Sequence, residues 1–209
     1  MDTFLQRVYV GEIKTQCEFA LSAASHLTHA LQNLNTDSHP PERRQFFHRE
    51  VFRQIHSFLT HTSNVSRLFW PPVPAQRRNE TDAAYASRLS NFDRVQRAEK
   101  LRALYEIEDT SPLRNRALRD HLEHFDERLD EWRRTSTHRN IANDLIGPKN
   151  MIVGLADTDM MRWFDPSDRL FRFRGEEYDL QGLASQIDRL LPLSKHLEEH
   201  LWNAQTGRA

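Results

Sequence analysis

Apolar residues recur at steps of three and four through the first two thirds of the chain, a helical period, and proline-rich breaks cut that pattern into segments. Residues 2–34 are apolar at Phe4, Leu5, Val8, Ile13, Phe19, Leu21, Leu27 and Leu31, and Asp37-Ser38-His39-Pro40-Pro41 closes the segment. A second helix is predicted over residues 42–70, with Phe46, Phe47, Val51, Phe52, Ile55, Phe58 and Leu59 facing inward. Pro71-Pro72-Val73-Pro74 stops it, because proline has no N–H to donate and pushes the residue before it out of the helical region.

Residues 75–81 read as an exposed connection, after which Thr81 or Asp82 caps a third helix reaching about Tyr105. Ser111-Pro112 opens a fourth: serine caps, and proline sits at the first helical position, where a missing N–H costs nothing. Leu118, Leu122, Phe125, Leu129 and Trp132 form its core stripe. Four long helices in sequence predict an antiparallel four-helix bundle over residues 1–145.

The pattern changes after Thr135. Arg169-Leu170-Phe171-Arg172-Phe173-Arg174 alternates as a half-buried edge strand with its charges toward solvent. Gly175-Glu176 turns the chain and Glu177-Tyr178-Asp179 returns it as a short hairpin. A last helix follows over residues 180–202, with Pro192 kinking or interrupting it. The fold class expected is mainly α: the bundle, then a C-terminal β-hairpin and a fifth helix over residues 146–209, packed on the bundle within the same domain.

Composition agrees and narrows the function. With 209 residues, 6 glycines and 38% hydrophobic residues the chain can bury a real core. Its 29 basic and 30 acidic side chains leave a formal net charge of −1, so no global field attracts a polyanion, and a nucleic acid would have to use a local basic patch. Arg114, Arg116 and Arg119 form one such patch, although arginines are also common on any long exposed helix. Cys17 is the single cysteine, which excludes an intrachain disulfide or a cysteine metal cluster. No leader pattern and no membrane-spanning apolar run is visible, so the cytoplasm is the expected location and no membrane partner is expected.

The chemistry concentrates in Arg119-Asp120-His121-Leu122-Glu123-His124, polar groups that a core does not need. On a regular helix Asp120 and His124 are neighbours one turn apart, opposite the core stripe, with Arg116, Glu127 and Glu131 beside them. His121 flanks the core, and Arg119 lies about 140° around from His124. The arginine and that histidine therefore converge on one small group only if the helix is distorted at Arg119, or if two copies of it meet. A histidine titrating near neutrality takes a proton from a hydroxyl, a carboxylate one turn away orients its ring, and an arginine fork binds phosphate oxygens. RNA carries its own nucleophile, the 2′-hydroxyl, beside each phosphodiester, so such groups suffice to cleave it without a metal.

Arg119 to His124 resembles the arginine, polar residue, then histidine motif of the HEPN domains. These are helical bundles that carry the motif on a late helix, and many act as metal-independent ribonucleases in toxin, phage-defence and CRISPR-associated systems. The resemblance implies catalytic roles for Arg119 and His124, with Asp120 in the polar position, and a site assembled from two motifs across a homodimer. It implies single-stranded RNA as substrate, no cofactor, and an antitoxin or effector protein as a possible partner. Arg114, Arg116 and His121 stand nearest for holding the RNA.

Two other readings compete. Asp120/His124, His196/His200 and Glu123/Glu127 have the spacing of metal ligands, yet no glutamate is followed three residues later by histidine and no His-Glu-x-x-His occurs, so no metal is expected. The other is a helical interaction module that pairs through the mixed charges of the fourth helix and carries out no reaction.

Overall fold

Asp2 opens the first helix: its Oδ1 accepts the N–H of Leu5 at 2.8 Å, one of the four donors a helix leaves unpaired at its start. The computed structural model describes every residue except 37, 116, 118–121, 123, 150 and 208–209. Among the described residues there are six α-helices and a four-stranded sheet. They are α1 (Thr3–Leu34), α2 (Pro41–Phe69), α3 (Asp82–Ser90), α4 (Asp93–Tyr105), α5 (Phe125–Thr135) and α6 (Leu180–Thr206). The strands β1 (Leu145–Ile146), β2 (Trp163–Asp165), β3 (Leu170–Phe173) and β4 (Glu176–Asp179) all precede α6.

The expected first two helices are present within a residue or so at each end. Their inward faces differ from the simplest reading. In α1 the buried positions are the smaller side chains Val10, Ile13, Cys17, Ala20, Ala23 and Ala30, while Phe4, Leu5, Val8 and Phe19 stay exposed. In α2, Phe47, Val51, Phe52, Ile55, Phe58 and Leu59 are buried as expected, but Phe46 is 56% exposed.

The chain divides into two compact units. One comprises Met1–Phe19, His61–Arg114 and Gln186–Ala209 and, as described, is helical apart from its connections. Its buried aromatics Phe69 and Tyr105 meet edge to face at 5.3 Å. The Ser194 hydroxyl donates to the Leu190 carbonyl at 2.8 Å, so it accepts the Tyr105 hydroxyl at 2.9 Å. Trp70 donates to Asp109 at 2.7 Å and Arg102 to the Phe69 carbonyl at 2.5 Å, which fastens the chain as it leaves α2.

The expected third helix is two helices. Thr81 caps α3, accepting the N–H of Ala84 at 3.2 Å. The run ends at Ser90 because Ser90 Oγ and Asn91 Nδ2 both donate to the Ser87 carbonyl, at 2.9 and 3.0 Å, taking an acceptor the helix needs. Phe92 is extended at φ −85°, ψ 123°, and α4 starts afresh.

The second unit, Ala20–Thr60 with Asn115–Ser185, holds the sheet. Strand order is β1-β2-β3-β4, with β1 parallel to β2 and the other pairs antiparallel. The expected hairpin is β3–β4, turned by Arg174 (φ 49°) and Gly175 (φ 88°). Two left-handed residues in a two-residue loop match the twist of the strands they join. The expected edge strand is overturned: β3 lies between β2 and β4, and Phe171, Arg172 and Phe173 are all buried. Arg172 does not face solvent. It reaches Asp168 at 2.6 Å and Glu177 at 2.8 Å and lies 5.3 Å over the Trp163 ring, so a buried cation is paired and stacked.

The continuous fourth helix expected from Ser111 is not found. Pro112–Arg114 is a single 3₁₀ turn, Ala117 and Leu122 are helical, and α5 starts at Phe125 after a break at His124. α6 passes through Pro192 without ending.

Candidate functional site

His124 stands immediately before α5, at φ −106° and ψ 38°, outside the helical backbone. The expected one-turn pairing of Asp120 with His124 falls partly on Asp120, which lies outside the described residues, and its other end, His124, is not in helical backbone. Arg119, Asp120, His121 and Arg116 lie outside the described residues. The imidazole that is described is exposed, and its Nδ1 sits 3.2 Å from Glu127 Oε1 in the first turn of α5. A donor at Nδ1 facing a carboxylate leaves Nε2 as the ring's basic nitrogen. Arg114 ends the 3₁₀ turn with Nη1 3.4 Å from Asp109 Oδ2, so a phosphate there would compete with a carboxylate.

Two further residues of this segment border a cleft in the second unit. Leu122 and Phe125 line a cavity of about 330 Å³ whose opposite wall is α2. From α2 come Arg49, Arg53 and His56, spaced by four and three so that they share one face. Arg162, in the chain just before β2, completes the basic lining, and Asp144 is the one acid among the described lining residues.

The three guanidinium groups differ in their freedom. Arg162 reaches Asp144 at 2.7 Å and lies 4.9 Å over the Phe125 ring, which holds its plane at the cleft. Arg53 forks onto Glu50 at 2.8 and 2.5 Å, and that guanidinium draws the Glu50 carboxyl below its ordinary range. Arg49 has no ion pair among the described residues. A fixed plane, a paired fork and a cation without an ion pair among the described residues, beside the half-buried ring of Phe125, suit a chain of phosphates better than a single small anion.

Arg49, Arg53 and His56 were legible in principle: a basic four-three step runs beside the core stripe of α2. Arg162 carried no local signal, since its place depends on β2 pairing with chain far away in sequence. Among the described residues no group of three or more histidine, cysteine, aspartate or glutamate side chains is arranged to hold a metal ion. Cys17 is fully buried, and burial pushes its thiol up to about 12.

The polar face proposed for an interface is partly spent. Glu131 turns to Arg174 at 2.9 Å and Arg128 at 3.3 Å within the unit. No helix among the described residues is long and apolar enough to cross a membrane. Compared with protein-family models, with curated proteins and with solved structures, the chain matches none.

Proposed function

We propose that this chain is a HEPN-like, metal-independent endoribonuclease that acts in the cytoplasm as a homodimer, its first 145 residues forming the family's antiparallel helical bundle. One observation carries the reading. The segment that holds the Arg119–His124 motif borders, through Leu122 and the adjoining Phe125, a cleft carrying Arg49, Arg53, His56 and Arg162 against one acid, Asp144, among the described lining residues. A chain with no net cationic field thus concentrates cations beside the one motif that resembles a nuclease.

In this reading His124 Nε2 takes the proton of a 2′-hydroxyl while Nδ1–H is held by Glu127, the role the sequence assigned to Asp120. The 2′-oxygen bonds to phosphorus, the bond from phosphorus to the 5′-oxygen breaks, and a protonated imidazole returns a proton to that leaving oxygen. Arg119 stabilises the charge on the phosphoryl oxygens. The products are a 2′,3′-cyclic phosphate and a 5′-hydroxyl, and no cofactor enters. RNA toxicity of this kind belongs to toxin or phage-defence systems, where an antitoxin or effector protein would be the partner.

A second reading, a helical interaction module without catalysis, is favoured by Phe4, Leu5 and Val8, which α1 leaves between 42% and 52% exposed. Mixed single-stranded RNA incubated in EDTA with wild type, Arg119→Ala and His124→Ala separates the two. Cleavage by the wild type alone, with cyclic-phosphate ends, supports the nuclease. Intact RNA, or equal cleavage by all three at matched folding, moves the assignment to the interaction module.

A further inference from the structure

The second unit holds another cavity, of about 320 Å³, lined by the C-terminal half of α1, the chain around β2 and the start of α6. Leu27, Leu31, Phe164 and Leu180 make its walls apolar, and its volume is at the lower end of the range for small-molecule sites, about 300–1,000 Å³. Among the described residues that line it, Arg169 is the only ionisable side chain.

Arg169 is set for an anion. Its Nη1 donates to the side-chain carbonyl of Gln181, a neutral acceptor that also lines the cavity. Gln181 Nε2 points to Ser185 Oγ at 3.3 Å, which fixes the amide with its oxygen toward the arginine. Among the described residues no carboxylate pairs with Arg169. Acids near it in sequence are engaged elsewhere: Asp165 accepts from Ser167 at 2.9 and 2.6 Å, Asp168 and Glu177 pair with Arg172, Glu176 accepts from Tyr178, and Asp179 accepts the N–H of Gly182 at 2.8 Å. A guanidinium has five N–H groups in a planar fork that matches a carboxylate, and most of those on Arg169, an exposed residue, have no acceptor among the described residues and face solvent.

We infer that this cavity binds a small amphiphilic carboxylate, its apolar body against Leu27, Leu31, Phe164 and Leu180 and its carboxylate on Arg169. The site is separate from the basic cleft and shares no lining residue with it. It stands whether or not the chain cleaves RNA.

Calorimetric titration of the full chain with decanoate below its micelle concentration, and with decanol as the uncharged counterpart, tests this. Wild type is expected to bind one decanoate saturably and to prefer it to decanol. Arg169→Gln should weaken decanoate about tenfold and leave decanol unchanged, the loss of a charge-assisted pair at a partly exposed site. Ala184→Phe, which fills the cavity, should abolish binding of both while circular dichroism and melting temperature confirm folding. Equal affinity of the wild type for decanoate and decanol overturns the inference, as does undiminished binding by the folded Arg169→Gln variant, or no binding at all.

Discussion

The indole N–H of Trp132 donates to Oδ1 of Asp159 at 2.8 Å and so ties α5 to the 3₁₀ turn that precedes β2. Asp159 is 3% exposed, and this indole is the side-chain donor that reaches its carboxylate among the described residues. Trp132→Phe keeps most of the packing and leaves a buried acceptor without that donor. A loss of about 1–3 kcal/mol in urea unfolding is expected, the penalty for an unsatisfied buried polar group. Stability equal to the wild type would show that water replaces the indole.

Glu131 and Arg174 form a second tie between α5 and the β3–β4 turn, at 2.9 Å. Arg174 chiefly, with Arg128, holds the Glu131 carboxyl below its ordinary value of 4.5. A carboxyl depressed on folding stabilises above its unfolded value and loses that contribution as the pH falls through the folded one. Wild type should therefore melt above Glu131→Gln at pH 7, and the gap should close below about pH 4.5. A gap that stays constant from pH 7 to pH 3 would mean that packing, not charge, separates the two.

His61 works in the opposite chemical sense with the same slope. Its Nδ1 lies 2.8 Å from Gln16 Oε1, its ring meets Phe19 at 5.1 Å, and burial lowers its pKa from 6.5. The folded state favours the neutral ring, so this contribution is complete above 6.5 and is lost as the pH drops toward the lowered folded value. The urea midpoint of the wild type should fall between pH 7.5 and pH 5 by more than that of His61→Gln. Parallel midpoints would assign the pH dependence to other groups.

Arg49 is the cation of the basic cleft that has no carboxylate partner among the described residues. If RNA lies there, Arg49→Ala should weaken binding to every sequence alike and lower the slope of log affinity against log salt by about 0.7, the value for one contact with a single strand. Its melting temperature should match the wild type, since no ion pair is broken. An unchanged salt slope would place the RNA elsewhere.

Helix ends and tight turns were readable where local chemistry decides them. Pro40-Pro41 and Pro71-Pro72 bound α2, Thr81 caps α3, and Gly175 turns the hairpin, each through the conformation of a few neighbouring residues. β1 and β2 have two and three residues, too few for an alternating pattern to show, and they exist because chain some 18 residues apart pairs in parallel. That pairing also turns β3 from an edge into an interior strand and buries Arg172, a fate its own alternating run cannot specify. At the site, the composition of residues 119–124 marked the chemistry, whereas the new helix start at Phe125 handed the His124 ring to Glu127. The basic face of α2 does not stand out in the sequence, because its apolar face already accounts for that helix.

α1, α2 and α6 each contribute residues to both compact units, which change over at 19/20, 60/61, 114/115 and 185/186. No single cut yields a fragment with one unit whole and nothing of the other. Grafting the sheet-bearing unit onto another scaffold would need four breakpoints, three of them inside helices, where severed backbone hydrogen bonds must be made again. The two units are consequently poor candidates for modular exchange, and a homologous chain that gained or lost one of them would have to do so by rebuilding three helices at once.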